Sequence, residues 1–337
     1  MSVHRSVSVM LTPEQQLALV ADAARAPSVY NTQPARWRFT AADDDIVLLR
    51  ALNRELPVRD PEGLELVVTL GAAWEGMAIA LTRLGIALGA PVGERVADDE
   101  GRESYARGRL RAGAARDPLA SVVHQRHTHR APFLTPTPES RAQLATLAAP
   151  DLLVVDAPAA IADVAERYER ARRQREAERA YHAERWSWLR LRRADPRWMR
   201  DGLTADALAL SSAQRVLARI ALSPLLHPLL ARAGVTRALG DERAMVRGAT
   251  GLLLFAPRRD LAPFDVGRRF YRLWLELTAA GLHAAPMSAA SEVAAVRDVL
   301  ADRFDIPPDR RLAYLLRVGV ATEVVESARL PVGELTV

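Results

Sequence analysis

Apolar positions recur at helical spacing over residues 12–25, where Leu17, Val20, Ala21 and Ala24 form a stripe. Thr12 reads as the N-cap, Pro13 as the first helical residue and Gln15 as the capping-box partner, and Pro27 stops the helix. Trp37, Phe39 and the run 46–49 then alternate as a hairpin does, with residues 43–45 as its turn. Residues 62–86 are apolar nearly all round, which predicts a long, mostly buried helix ending at Gly85.

The same order restarts near residue 120. Thr137-Pro138-Glu139 repeats Thr12-Pro13-Glu14, helical residues run to about Pro150, and a strand is predicted over 152–157. A second strand is predicted over 251–255 and a second long helix over 265–282, again ending at a glycine. Residues 71–86 lie on 267–282 without gaps, with Gly71/Gly267, Leu81/Leu277, Thr82/Thr278 and Gly85/Gly281 identical. That offset is 267 − 71 = 196, whereas the two Thr-Pro-Glu starts differ by 137 − 12 = 125. The expectation is a duplicated chain, with halves at 1–118 and 119–337 and an insertion in the second half within about 160–248.

The insertion opens on a Glu/Arg helix whose opposite charges stand three or four apart, a pattern of local surface pairs. Acidic residues interrupt its basic stripe, so no nucleic-acid partner is expected. Trp186, Trp188 and Trp198 follow, then a Leu/Pro segment at 217–235 that is too interrupted to span a bilayer and reads as a lid or arm. No apolar run is read as reaching the roughly 20 residues of a membrane span, and no membrane partner is expected.

Composition narrows this further. Hydrophobic residues make up 49% and charged residues 26%, the balance of a soluble globular chain. All 46 cations are arginine, and the formal net charge is +5. Lysine Schiff-base chemistry and a Walker-type phosphate loop are therefore excluded, and any phosphate must be held by guanidinium forks, backbone N–H groups or hydroxyls. The absence of cysteine excludes disulfides and thiolate metal sites. With no secretion signal evident at the N-terminus, the cytoplasm is the expected compartment.

Two polar clusters carry candidate chemistry. In residues 126–133, Arg126, Thr128 and Arg130 alternate, so an extended chain would present all three on one face. Two forks flanking a hydroxyl suit a terminal phosphate, and an exposed basic strand would read the same way. His124, His127 and His129 lack the spacing of the strong zinc patterns, and no metal is expected. The other cluster, residues 26–39, sets Ser28, Asn31 and Gln33 between two prolines just before a strand. No G-x-G-x-x-G follows a predicted strand, and no G-x-S-x-G elbow occurs.

Together these clusters resemble the nitroreductase-like flavoproteins. Ala26, Pro27, Ser28, Asn31, Gln33 and Pro34 match that family's amide segment, although Trp37 stands further along than the family pattern puts it. Residues 126–133 match its phosphate segment, and residues 284–321 resemble its Pro-rich loop, helix and last strand. The amide motif in the first half and the phosphate motif in the second resemble the Acg-type subgroup, in which two nitroreductase-like halves are fused into a pseudo-dimer. The resemblance implies an α+β fold with a helical lid-like insertion in the second half, and FMN as cofactor.

It also implies roles. Arg126, Thr128, Arg130 and Arg317 would hold the FMN phosphate. Ser28, Asn31 and Gln33 would face the polar edge of the ring, and Pro286, Met287 and Ser288 its other side. NADH or NADPH would be the electron donor and an electron-poor small molecule the acceptor. The alternative is an FMN-binding protein whose lid blocks turnover. No side-chain acid or base stands out as catalytic. The expected unit is a monomer acting as a pseudo-dimer, with a homodimer left open.

Overall fold

The computed structural model describes residues 9–40, 44–93, 96–98, 100–233, 241–323 and 325–337. Helix α1 (Pro13–Ala23) starts as its sequence predicts: the Thr12 hydroxyl accepts from the Gln15 backbone, and the Gln15 side chain accepts from the Thr12 backbone. Its buried face differs from the expected stripe. Leu19, Val20 and Ala23 are inside, while Leu17 is exposed. Strands β1 (Ala35–Thr40) and β2 (Asp45–Ala51) form the predicted hairpin, with Trp37 opposite Leu48 and Phe39 opposite Ile46. Asp43 of the expected turn lies outside the described residues.

Helix α2 (Leu64–Thr82) runs through the interior. By length and composition alone it is apolar enough to cross a membrane, which corrects the sequence reading that no run is. It is instead mostly buried in the protein, between the hairpin on one side and a partner helix on the other. Gly85 (φ +71) ends this turn in the left-handed region that glycine adopts without penalty. Strands β3 (Ile86–Leu88), β4 (Val92–Gly93) and β5 (Arg102–Ala112) complete the first sheet, whose main path runs β1-β2-β5-β3, all antiparallel.

Next come α3 (Pro138–Ala145), capped by Thr137, and β6 (Leu152–Val155). Between β6 and the next strand of its sheet come α4 (Pro158–Ala177), α5 (Arg179–Ser187), the short parallel pair β7 (Leu189–Arg190) and β8 (Leu203–Thr204), then α6 (Ser212–Ala221), α7 (His227–Arg232) and α8 (Arg243–Arg247). Strand β9 (Gly251–Phe255) pairs with β6, helix α9 (Pro263–Ala279) crosses α2, and β10 (His283–Pro286), α10 (Ser288–Glu292), α11 (Ala294–Arg303) and β11 (Tyr314–Gly319) follow. A short α12 (Val332–Leu335) closes the chain against α1 and β1. The second sheet runs β6-β9-β11-β10, again all antiparallel. Both sheets thus use one order, with a long helix joining the second and third strands in sequence.

The two long helices meet backbone to backbone. A Cβ on Gly71 would lie 1.9 Å from the Phe264 carbonyl oxygen, and one on Gly267 would lie 1.9 Å from that of Val68. Glycine is required at both positions because any side chain would overlap the neighbouring helix. Phe264 and Val68 are themselves 264 − 68 = 196 residues apart, the separation of the two glycines.

Helix α4 is less detached than its charge pattern suggests. The predicted surface pairs form, among them Asp163–Arg167 and Arg172–Glu176. Its other face buries Val164, Ala165, Tyr168 and Ala171 in the same apolar cluster as Leu252, Leu315 and Met287.

Candidate functional site

The polar stretch before β1 is held in a conformation that L-residues adopt rarely. Tyr30, Asn31 and Gln33 have φ of +49, +58 and +52. Each such residue costs on the order of 1–3 kcal/mol unless its surroundings fix it. They do. The Ser28 hydroxyl accepts from the Gln33 N–H at 3.1 Å, and Arg36 donates to the carbonyls of Gln33 (2.9 Å) and Ala35 (2.8 Å). This turn aims both side-chain amides inward, where Asn31 and Gln33 are buried.

Both amides are engaged by the protein itself. Asn31 Nδ2 donates to the carbonyls of Gly202 (3.3 Å) and Ala328 (2.9 Å), and its Oδ1 accepts from Arg329 (3.1 Å). Gln33 Nε2 donates to the Arg200 carbonyl (2.8 Å), and its Oε1 accepts from the Leu330 N–H (2.9 Å). The partners come from the loop between β7 and β8 and from the C-terminal tail. The cavity beside Ser28, Gln33 and Trp37 holds about 20 Å³, room for about one water.

The second motif lies along a sheet edge. Thr128 bridges Ala284 of β10 in parallel, and the His129 N–H donates to the Ala284 carbonyl at 3.0 Å, so the segment is extended there, as its alternation predicts. His129 stacks on Phe133 at 5.1 Å. Arg126 is buried, with Nε and Nη2 donating to the Arg25 carbonyl at 3.2 and 2.8 Å and its guanidinium 4.9 Å from the Trp274 ring. Arg130 donates to the Ala207 carbonyl at 3.3 Å. Arg317, on β11 beside Ala285 of β10, reaches the carbonyls of Ala131 (3.1 Å) and His129 (3.2 Å) and lies over Phe133.

None of Arg126, Arg130 and Arg317 has a carboxylate ion-pair partner among the described residues, and Arg130 lies close enough to feel the charges of the other two. Burial pushes Arg130 down to about 10, with Glu242 opposing and Arg317 and Arg126 adding to the fall. Burial likewise lowers Arg126 and Arg317. The buried Tyr271 hydroxyl lies beside the Arg126 guanidinium and helps to keep it charged. Guanidiniums gathered without a carboxylate partner fit an anion.

Two further cations join this group, and sequence reasoning missed both. Arg25 immediately precedes the polar stretch. Arg329, from the tail, donates to the Ala24 carbonyl at 2.7 Å and to Asn31, and is driven down to about 9 by burial and then by Arg126 and Arg25. The two sequence motifs therefore meet: the Arg126 guanidinium touches the residue next to Ala26-Pro27-Ser28, about a hundred positions away. Arg25 shows only by its place in the sequence, and nothing marks Arg329.

The other candidate positions lie on and beside the second sheet. Pro286 ends β10 opposite Leu316, and Ser288 begins α10. The Met287 side chain is buried in the apolar cluster with α4, and its N–H donates to the Leu315 carbonyl. Trp37 is a core residue, fully buried and stacked on Trp74 at 6.3 Å. Leu225, Leu226 and Leu229 of the expected apolar arm face outward, Leu225 being 87% exposed, while Leu222 packs on the apolar cluster of Leu191 and Trp198, and the loop at 200–207 takes the donors of Asn31, Gln33 and Arg130.

Two charged clusters fasten residues 181–201 to Arg54 and Arg59. Asp201, almost wholly buried, accepts from Arg54 (2.5 Å), Arg190 (2.8 Å) and Arg197 (2.7 Å) around Trp188. Arg59 pairs with Glu292, donates to the hydroxyls of Tyr30 and Tyr181 (3.1 Å each) and lies 4.9 Å from the Tyr30 ring.

No protein-family model matches the chain. A stretch of 63 residues is 40% identical to a candidate NAD(P)H nitroreductase of Mycobacterium tuberculosis strain H37Rv, and it spans 19% of this chain and 18% of that protein. Among solved structures, a candidate nitroreductase from Anabaena variabilis aligns over 96% of this chain and 93% of its own, with a TM-score of 0.47 and 9% identity. The FMN-dependent nitroreductase NfnB of Mycobacterium smegmatis, solved with NADPH, aligns over 62% of this chain and 94% of its own, with a TM-score of 0.34 and 15% identity.

Proposed function

We propose that this chain is a nitroreductase-like flavoprotein that binds FMN and takes electrons from NADH or NADPH for an electron-poor small acceptor. The observation that carries the reading is that Arg126 and Arg317, both buried, lie near enough to half-buried Arg130 for it to feel both charges, and that none of the three has a carboxylate ion-pair partner among the described residues. In this reading the three guanidiniums hold the FMN phosphate, with the Thr128 hydroxyl between the first two. Ser28, Asn31 and Gln33 serve the ring end, where amides can both donate and accept. Pro286, Met287 and Ser288 contribute backbone and shape at its other side. Bound FMN would supply the two-electron chemistry, and the protein's part is to place it and exclude water.

We also read the chain as an internal duplication forming a pseudo-dimer, with halves at 1–118 and 119–337. The shared strand order and the reciprocal Gly71 and Gly267 contacts support this. The span from α4 to α8, all of it between β6 and β9, supports an insertion that acts as a lid.

A second reading, FMN sequestration without efficient turnover, is favoured by one observation. The amides of Asn31 and Gln33 are already paired with the 200–202 loop and the tail at 328–330. A ring could use them only after those segments move, and a lid that then recloses would leave little room for a nicotinamide.

Purified protein tests both. FMN should be released on denaturation, and Arg126→Ala combined with Arg130→Ala should lower flavin content at least tenfold. A protein that neither carries nor accepts FMN refutes both readings. Anaerobic mixing with NADH or NADPH then separates them: rapid bleaching supports the oxidoreductase, whereas bleaching by dithionite alone supports sequestration.

A further inference from the structure

We propose that the surface formed by α6, α7 and the segment at 191–194 docks on a bilayer rich in acidic phospholipid. This stands apart from the flavin reading and uses none of its residues.

The first observation is charge. A cleft of about 470 Å³ between residues 191–194 and α6 is lined by Arg192, Arg193, Arg215 and Arg219, with Ser212 and Val216. Asp206 pairs with Arg193 and Arg215. Arg192 and Arg219 have no ion-pair partner among the described residues. Four guanidiniums against one carboxylate leave an excess of positive charge. Guanidinium forks match the paired oxygens of a phosphodiester.

The second observation is the apolar surface beside that cleft. Helix α6 is firmly begun, with a capping box between Ser211 and Gln214. Its Val216 and Ile220, one turn apart, are both exposed, as is Leu217. Leu225 and Leu229 follow, 87% and 62% exposed. Arg215 and Arg219 stand beside this apolar row on the same helix, the arrangement of a helix lying in the plane of a membrane interface. The surface is presented on a fixed base: His227 of α7 stacks on His182 of α5 at 3.7 Å, and the His182 ring bonds to the Leu222 carbonyl.

Charge also selects the occupant. A second copy packed face to face would bring two arginine-lined clefts together. An anionic bilayer offers phosphates to the cleft and acyl chains to the leucines at once. Pro224 and Pro228 interrupt the segment, so it lies on the surface and does not span it.

The test is flotation of the full chain with phosphatidylglycerol–phosphatidylcholine vesicles against phosphatidylcholine alone. Binding is expected only to the acidic vesicles, weakening as salt rises. Arg192→Ala with Arg219→Ala should lower the partition coefficient roughly thirtyfold, at about tenfold or less per charge. Leu225→Asp with Leu229→Asp should abolish binding while the melting temperature stays within a few degrees, because both side chains are exposed. Equal binding to neutral vesicles, no binding to either, or binding indifferent to these variants overturns the proposal. Light scattering that finds an arm-dependent dimer, lost in the leucine variant, also overturns it and assigns the surface to a second copy.

Discussion

Gly71 and Gly267 each lie against the backbone of the other's helix, at the same distance and with partners at the same spacing. Overlap with a carbonyl cannot be relieved by a side-chain rotation, so one helix must shift. Gly71→Ala should cost about 3 kcal/mol or more in urea unfolding, and Gly267→Ala should behave alike. Gly93, with nothing within 4 Å of an added Cβ, is the control, and Gly93→Ala should stay within about 0.5 kcal/mol. A Gly71→Ala protein as stable as the parent would contradict the close crossing.

Asp201 is the carboxylate on which three arginines converge. Burial alone would raise its pKa, but hydrogen bonds from Arg197, Arg190 and Arg54 outweigh that and hold it below the ordinary carboxylate value. The group is therefore depressed in the fold. Its contribution is complete above the ordinary carboxylate pKa and is lost as pH falls through the folded value. Asp201→Asn at pH 7 should cost about 3–5 kcal/mol, because the guanidiniums are left unpaired. Limited trypsin digestion should then cut after Arg197 or Arg200 well before the rest of the fold. Unchanged digestion would show that the cluster does not fasten the loop.

The Arg59–Glu292 pair calls for a double-mutant cycle. Burial disfavours the Arg59 charge, and Glu292 together with Tyr30, Tyr181 and Glu65 more than restores it. Removing either partner leaves a buried charge, so Arg59→Leu or Glu292→Leu should each cost about 3–5 kcal/mol. The double variant should lose much less than the sum. Additive losses would mean that the tyrosine contacts of Arg59, not the ion pair, carry the energy.

The stacked pair His182 and His227 gives a pH dependence of opposite origin. Burial lowers both, His227 adds to the lowering of His182, and Arg185 and Glu176 are the charged groups that face them. Both rings take up protons at lower pH in the fold than in the unfolded chain, which does so below about 6.5. Stability is complete above that pH and falls as pH drops through it, by up to about tenfold in the folding constant per group and pH unit. Denaturant melts at pH 7.5 and 5.5 should show a larger loss for the parent than for His227→Phe. Equal losses would place the dependence elsewhere.

Local signals were legible where short-range chemistry decides. The Thr12 and Thr137 caps, the hairpin at Trp37 and Phe39, and the left-handed glycines Gly85 and Gly281 all stand where the sequence puts them. Strand β5 went unread because its inward positions are Ser104, Ala106, Gly108 and Leu110, mostly too small to show as an apolar alternation. Leu17 lies outside the buried face because the face of α1 that is buried depends on where α2 lies, which periodicity does not state. In the site, the alternation of Arg126, Thr128 and Arg130 was visible. The role of Arg329 was not, since it exists only once the tail folds back on Asn31, nearly three hundred residues away.

The crossing of α2 and α9 has one more consequence. In an assembly of identical subunits, every substitution at a symmetric contact is made twice, and both sides must tolerate it. Here Phe264 faces Gly71 and Val68 faces Gly267, so each side of the crossing is written separately. Bulk can be gained at one and trimmed at the other without either change being copied across. A single chain is thereby free to vary the two sides of the crossing independently.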